Sequence, residues 1–251
     1  MSKLKISSVS YLNSKPFVFG LQHSPLRNNF ELSLDIPSVC ASKLMDNQVD
    51  IGLVPVAAIP KISGANIITD YCIASSGKVR TVVLVSESPV EQIERIVLDY
   101  QSRTSVRLIK ILAKHFWNIS PVWVDGAEGY IDNDIHGTTA GVIIGDRVFE
   151  HENRFPYLYD LGEIWKVMTG LDFVFACWVA NKPVEKELIV QFNEILKFGI
   201  ENIPQVIDEY QQLYPNYRLD NYFTENIFYV FDESKRKGLE LFWKYNEKLE
   251  L

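Results

Sequence analysis

The sequence predicts an α/β protein of two lobes with a helical C-terminal segment, and three observations carry that prediction. The first 56 residues alternate strand and helix patterns in the order βαβαβ. The alternation stops near residue 87 and then restarts. From Pro183 onward the apolar spacing is helical. A βαβ alternation favours a mostly parallel sheet with helices on its faces. At 251 residues, 47% hydrophobic and 23% charged, the chain can bury one large core or two lobes of about 100 residues each.

Local signals justify each element in turn. Lys5 to Leu12 reads as a strand, Pro16 to Leu21 as a short helix and Glu31 to Ile36 as a second strand. Ser38 to Gln48 reads as a helix with Ser38 as N-cap and Cys40, Ala41, Leu44 and Met45 on its apolar face. Asp50 to Val56 completes the opening series as a buried strand. Ile67 to Ser75 and Arg80 to Ser86 are strand-like, joined by Ser75-Ser76-Gly77-Lys78. Ser88-Pro89-Val90-Glu91 has the form of a capping box with Pro at the first helical position.

The second series starts with Arg95 to Asp99 as a strand. Ser102-Arg103-Thr104-Ser105 then caps a helix whose apolar face is Leu108, Ile109, Leu112 and Phe116. Pro121 to Val124 and Ala140 to Gly145 read as further strands. In the C-terminal third, Leu188, Ile189, Phe192, Leu196, Ile200 and Ile203 form one amphipathic stripe, which reads as a docking face.

Composition excludes several function classes. A net charge of −7 argues against a general nucleic-acid or anionic-membrane partner, because phosphate binding needs a basic footprint. The longest apolar run, Phe173 to Ala180, is far below the roughly 20 residues that span a bilayer. The opening residues lack the apolar stretch of a signal peptide. Cys40, Cys72 and Cys177 are scattered in apolar contexts without metal spacing and read as reduced thiols. The expected location is the cytoplasm.

The most informative stretch is Val9-Ser10-Tyr11-Leu12-Asn13-Ser14-Lys15-Pro16. A strand ends there in small polar residues and Pro16 stands where a helix begins. Such a turn gathers free backbone N–H groups and the positive end of a helix dipole, a place to hold a carboxylate or phosphate. Many turns of this kind only cap a helix, so the neighbouring blocks decide.

Those blocks carry a resemblance. Besides Val9 to Pro16 they are Asp50-Ile51-Gly52-Leu53-Val54-Pro55, Ile73-Ala74-Ser75-Ser76-Gly77-Lys78-Val79, and Leu98 through Ser105. Ile144-Gly145-Asp146, Asp160-Leu161-Gly162 and Thr169 through Ala176 follow. In their order and spacing the chain resembles the chorismate dehydratase family of the futalosine route to menaquinone. The resemblance implies the two-lobed periplasmic-binding-protein-like fold of type II, with Thr81 to Ser86 and Phe173 to Ala180 as the two crossing strands. Lobe 1 would be residues 1–86 plus 180–251, lobe 2 residues 87–179, with the ligand cleft between them.

It also implies the reaction, loss of water from chorismate to give 3-[(1-carboxyvinyl)oxy]benzoate. Removing the ring proton beside the enolpyruvyl ether gives a carbanion delocalised toward the ring carboxylate, and the adjacent hydroxyl leaves. The protein must orient a dianion and stabilise developing charge, and no metal or organic cofactor is required.

By resemblance, Asn13 and Ser76 are the catalytic residues, and Asn13 orients a carboxylate or manages the departing hydroxyl. Tyr11, Ser14, Ser75 and Gly77 line the substrate beside them, with the Gly77 N–H and Ser76 forming a second anion-holding turn. Thr104 and Ser105 at a helix start, and Gly145 with Asp146 after a strand, complete the set. Asp146 would bond a substrate hydroxyl or cap the following segment, and Asp99 would brace its loop. His23, His115, His136 and His151 stand in polar or helical-surface contexts, and Lys78 and Arg80 flank a strand, so no side chain reads as a strong general base. That absence suggests a substrate-assisted reaction in which the enolpyruvyl carboxylate takes the proton, and a side-chain acceptor stays open as the alternative.

Two alternatives remain open at this level. One is a cytoplasmic small-carboxylate binding or sensor protein of the same fold. The other is the sister enzyme acting on cyclic dehypoxanthinylfutalosine, whose opening turn favours Pro-Asn-Asp where this chain has Leu12-Asn13-Ser14. The sequence does not set the oligomeric state.

Overall fold

The computed structural model describes residues 3–249. The chain divides into two units, one of residues through Ala74 with Val174–Asp232, the other of Ser75–Phe173 with the segment from Glu233.

The first unit opens with β1 (Leu4–Val9), α1 (Lys15–His23), β2 (Phe30–Asp35), α2 (Pro37–Met45) and β3 (Ile51–Pro55). The βαβαβ expectation therefore holds, and β1 pairs in parallel with both β2 and β3. Next comes β4 (Asn66–Ser75). The chain returns to this unit with β10 (Phe173–Ala180), α7 (Lys186–Glu201), α8 (Ile203–Tyr210), the single turn α9 (Leu219–Asn221) and β11 (Phe228–Val230). The six strands run in the order β11-β4-β10-β3-β1-β2. The sheet is mixed, because β10 lies antiparallel to β3 with Ala176 opposite Pro55. All residues of β3 and β10 are buried, which explains why neither alternates in sequence.

The second unit is a five-stranded sheet in the order β7-β6-β8-β5-β9. Its strands are β5 (Val82–Ser86), β6 (Arg95–Leu98), β7 (Val122–Asp125), β8 (Thr139–Ile144) and β9 (Tyr157–Asp160). Parallel pairs join β6 to β7 and β8, while β5 is antiparallel to β8 and β9. The helices are α3 (Thr104–Leu112), α4 (Tyr130–Asn133), α5 (Arg147–His151), α6 (Leu161–Thr169) and α10 (Glu233–Glu247). Val83, Val85, Val97, Tyr130 and Ile143 form its buried core. Among the described residues no helix is long and apolar enough to cross a membrane.

Several expectations change. The chain passes between units three times, at Ala74/Ser75, Phe173/Val174 and Asp232/Glu233, where the sequence placed boundaries at 86/87 and 179/180. Thr81 to Ser86 does not lead out of a first lobe: β5 pairs on both edges inside the second sheet. Phe173 to Ala180 belongs to the first sheet almost entirely. The final helix moves to the second unit because Phe242 packs edge-on against Phe173 and Trp165, at 5.3 and 6.3 Å between ring centroids.

Local corrections have local causes. Pro37 rather than Ser38 starts α2, its fixed φ suiting the first helical position. The capping box at Ser88 yields only a 3₁₀ turn, Val90–Gln92, because the Ser88 hydroxyl donates to the Gly137 carbonyl oxygen at 2.9 Å instead. The helical C-terminal third contains one short strand, β11, held antiparallel against β4.

Candidate active-site turns

In the first unit the chain leaves β1 into a 3₁₀ turn, Leu12–Ser14, that runs straight into α1. Ser14 makes this turn: its buried hydroxyl lies within hydrogen-bond reach of the Val9 carbonyl and, at 2.9 Å, of that of Tyr11. Pro16 occupies the first turn of α1, where its missing N–H removes no helical bond. The helix is then pressed onto α7, since a Cβ on Gly199 would lie 1.9 Å from the Pro16 carbonyl oxygen.

Asn13 projects from the middle of this turn. Its backbone carbonyl accepts a 2.9 Å hydrogen bond from the Tyr229 hydroxyl. Burial holds the Tyr229 phenol well above its ordinary range, so it stays a donor. The Asn13 side-chain oxygen is buried and accepts no hydrogen bond among the described residues. A buried unmet acceptor carries a desolvation penalty of about 1–3 kcal/mol that a ligand donor would relieve. Tyr11, half-buried, stands in extended conformation just before the turn.

The second unit holds the loop Ser75 to Arg80. Gly77 adopts φ +115°, a region closed to most side chains, so glycine is required there. The loop is tied to the start of α6 by Asp160. One carboxylate oxygen accepts from the N–H groups of Val79, Gly162 and Glu163 at 3.0–3.2 Å, and the other from Arg80 N–H at 2.7 Å. Burial pushes this carboxyl above the ordinary aspartate range, against those N–H groups, which pull it down. Ser75 is fully buried, and its hydroxyl oxygen has no hydrogen bond among the described residues. Ser76 is exposed.

Lys78 and Arg80 do not stand free as steering charges. The Arg80 guanidinium pairs with Glu152 at 2.9 Å, and the Lys78 ammonium lies 3.8 Å from Glu163.

Thr104 and Ser105 begin α3, both buried. The Ser105 N–H donates to Ser102 Oγ at 3.0 Å, so Ser102 is the residue that caps. Gly145 adopts φ +68° after β8 and donates to the Thr81 carbonyl at 2.9 Å. Asp146 opens α5 without a side-chain capping bond, so its half-buried carboxylate is not used as a cap. Asp99 braces its loop as expected: it accepts from the Gln101 and Ile144 N–H groups, the Tyr130 hydroxyl and the Arg147 guanidinium. Burial pushes its carboxyl up despite the Arg147 charge, which lowers it.

The first unit thus brings together Tyr11, Asn13 and Ser14, and the second carries Ser75, Ser76, Gly77, Thr104, Ser105, Gly145 and Asp146. Three of the four histidines have partners outside the expected site residues. His23 stacks on Phe19 and His115 tilts against Tyr245, while His151 neighbours Arg154. A basic cavity of about 630 Å³ beside Arg107, Lys110, Lys114 and Trp123 contains none of the expected site residues. Sequence reasoning missed Tyr229, Asp160 and Gly162 as supports. Only the last two lay in blocks already singled out, and no local pattern marked Tyr229.

Comparison with known proteins places this architecture. A protein of Archaeoglobus fulgidus superimposes with a TM-score of 0.75 at 14% identity, covering 99% of this chain and 98% of that one. A Candida albicans protein described as having the generic periplasmic binding protein structural fold gives 0.65 at 12% identity, over 99% and 94%. The chain therefore has the two-domain periplasmic-binding-protein-like α/β fold. In sequence it is 25% identical over 258 residues to a chorismate dehydratase of Thermus thermophilus, covering 91% of this chain and 94% of the relative. Residues 4–248 match the menaquinone biosynthesis family, and the chain belongs to that family.

Proposed function

We propose that this protein is a hydro-lyase that dehydrates chorismate to 3-[(1-carboxyvinyl)oxy]benzoate in the cytoplasm. The observation that carries the reading is membership of the menaquinone biosynthesis family over residues 4–248, combined with the dehydratase relative. The chemistry of the turns supports it. Chorismate offers two carboxylates and a ring hydroxyl. The chain offers the side-chain amide of Asn13, the backbone N–H of Gly77, hydroxyls at Ser76, Thr104 and Ser105, and the carboxylate of Asp146.

In this reading Asn13 and Ser76 are the catalytic residues, and the other turn residues bind and orient the dianion. Orientation lowers the barrier by fixing the ring proton and the enolpyruvyl carboxylate in reacting geometry. N–H donors at the ring carboxylate stabilise the charge that develops there as the proton leaves. The substrate's own carboxylate takes that proton, and the hydroxyl departs to leave an aromatic ring.

The test is incubation of the purified protein with chorismate, following the aromatic product by absorbance and mass. A product lighter than chorismate by one water supports the proposal. Binding without turnover would make the protein a carboxylate-binding module, and turnover of cyclic dehypoxanthinylfutalosine alone would make it the sister enzyme.

A further inference from the structure

The basic cavity of the second unit is built by a change of helix type. After α3 the chain widens into a π-type turn, Ala113–Trp117, closed by the Ile119 N–H donating to the Ala113 carbonyl at 2.9 Å. Asn118 then takes the left-handed conformation at φ +55°, and the chain turns into β7. The cavity between these segments measures about 630 Å³, within the range of about 300–1,000 Å³ that small-molecule sites occupy.

Its polar wall is cationic. Arg107, Lys110 and Lys114 stand three and four residues apart, so one helix face delivers all three. Asn118, Ser120 and Trp123 of β7 line the rest of the polar surface. The Lys110 ammonium lies over the Trp123 ring, 5.4 Å from its centroid, and Arg107 Nε donates to the buried side-chain amide oxygen of Asn246 in α10. Burial lowers the His115 imidazole, and the charges of Lys114 and Lys248 lower it further, so a fourth cation stands nearby.

Among the described residues no acidic side chain pairs with Lys110 or Lys114. Other cations of this unit are matched: Arg80 with Glu152, Arg147 with Asp99, Arg154 with Asp132 and Lys166 with Asp172. Clustered like charges raise one another's energy, and a bound anion offsets that cost. In a chain of net charge −7, such a cluster is not the by-product of a generally basic surface.

We infer that this cavity binds a small anion of two or more negative charges, a phosphate chain with or without a nucleoside. Lysine ammonium groups meet phosphate oxygens as point charges, and the Arg107 guanidinium offers a planar fork of donors. Trp123 supplies a flat wall for a base once Lys110 turns from the ring to the anion. None of the expected substrate-turn residues lines the cavity, so the site is independent of the dehydratase reading.

The test is calorimetry of the purified protein with inorganic triphosphate and with ATP at low salt, against sodium acetate at equal ionic strength. Wild type is expected to bind one triphosphate per chain and no acetate. Lys110→Gln and Lys114→Gln should each weaken binding about tenfold, the range of one hydrogen bond to a charged group, and the pair about hundredfold. A charge-matched control in α7, Lys186→Gln with Lys197→Gln, should leave the affinity unchanged. ATP binding tighter than triphosphate identifies a nucleotide and equal binding the phosphate chain alone; either supports the site. No binding by wild type overturns the inference, as does an affinity kept by the Lys110/Lys114 pair variant or lost equally in the control. Should the pair variant fail to fold, Ser120→Glu, which puts a carboxylate at an exposed position among the cations, is read by the same criterion.

Discussion

Gly162 lies directly against Ser75: a Cβ at Gly162 would stand 2.6 Å from Ser75 Oγ and 2.8 Å from the Gly77 carbonyl oxygen. The α6 start and the Ser75–Gly77 loop can approach this closely only because that position lacks a side chain. The closeness lets the Asp160 carboxylate reach N–H groups of both segments.

Gly162→Ala should therefore push the loop off the helix. Backbone atoms would have to move, so a destabilisation of about 1–3 kcal/mol is expected from overpacking. Urea unfolding measures it. Chorismate turnover should fall further than stability explains, because Ser76 and Gly77 ride on the displaced loop. A variant with wild-type midpoint and turnover would contradict this contact.

Tyr229→Phe removes the hydroxyl that holds the Asn13 carbonyl while keeping the edge-on ring packing on Phe17 at 5.1 Å. The stability cost should be about 1 kcal/mol, that of one hydrogen bond. Under the proposed function kcat falls as well, since the turn that presents Asn13 loosens. Thermal melts and steady-state kinetics on one preparation check both.

Asn13→Asp keeps the shape of the side chain but puts a negative charge on the buried oxygen. A dianionic substrate should then be repelled, and turnover should drop on the order of hundredfold, as for loss of one preorganised polar group. Full turnover in this variant would remove Asn13 from the catalytic set.

Asp35 gives a pH test of the first unit. Burial pushes its carboxyl up, but the Lys43 ammonium at 2.6 Å and the Ser33 and Ser7 hydroxyls outweigh it and hold it below the ordinary aspartate value. The folded state thus keeps the carboxylate charged where the unfolded chain would take up a proton. Its stabilisation is complete above about pH 4 and is lost as pH falls through the lower folded value. The gap in urea midpoint between wild type and Asp35→Asn should be constant near neutrality and shrink in acid. A gap that widens on acidification would reverse the sign of this argument.

The strands and helices of the opening βαβαβ were legible because hydrophobic period and proline position act over a few residues. β10 was legible for a different reason: eight consecutive apolar residues have no exposed face. Less legible were β9 and α6. Their signals, an Asp160 N-cap and Gly170 in the left-handed conformation at the C-terminal end, lie in a stretch with weak apolar periodicity. For the candidate site, the glycine- and serine-bearing turns could be picked out by residue type, although the Ser14 and Lys15 N–H groups expected to be free in the opening turn are spent on the Tyr11 and Leu12 carbonyls. Their supports could not.

What local chemistry dictated, then, was the α/β class, the element order and the turn from Val9 to Pro16, where Ser14 folds back on its own strand. Tertiary structure alone decided which sheet each strand joined, that α10 belongs with the second unit, and which side chains meet Asn13 and Asp172. The physical reason is separation along the chain. Tyr229 meets Asn13 across 216 residues and Ser234 meets Asp172 across 62, and no local pattern encodes a partner at that distance. Such pairs exist only once the distant segments that carry them have packed together within their own unit.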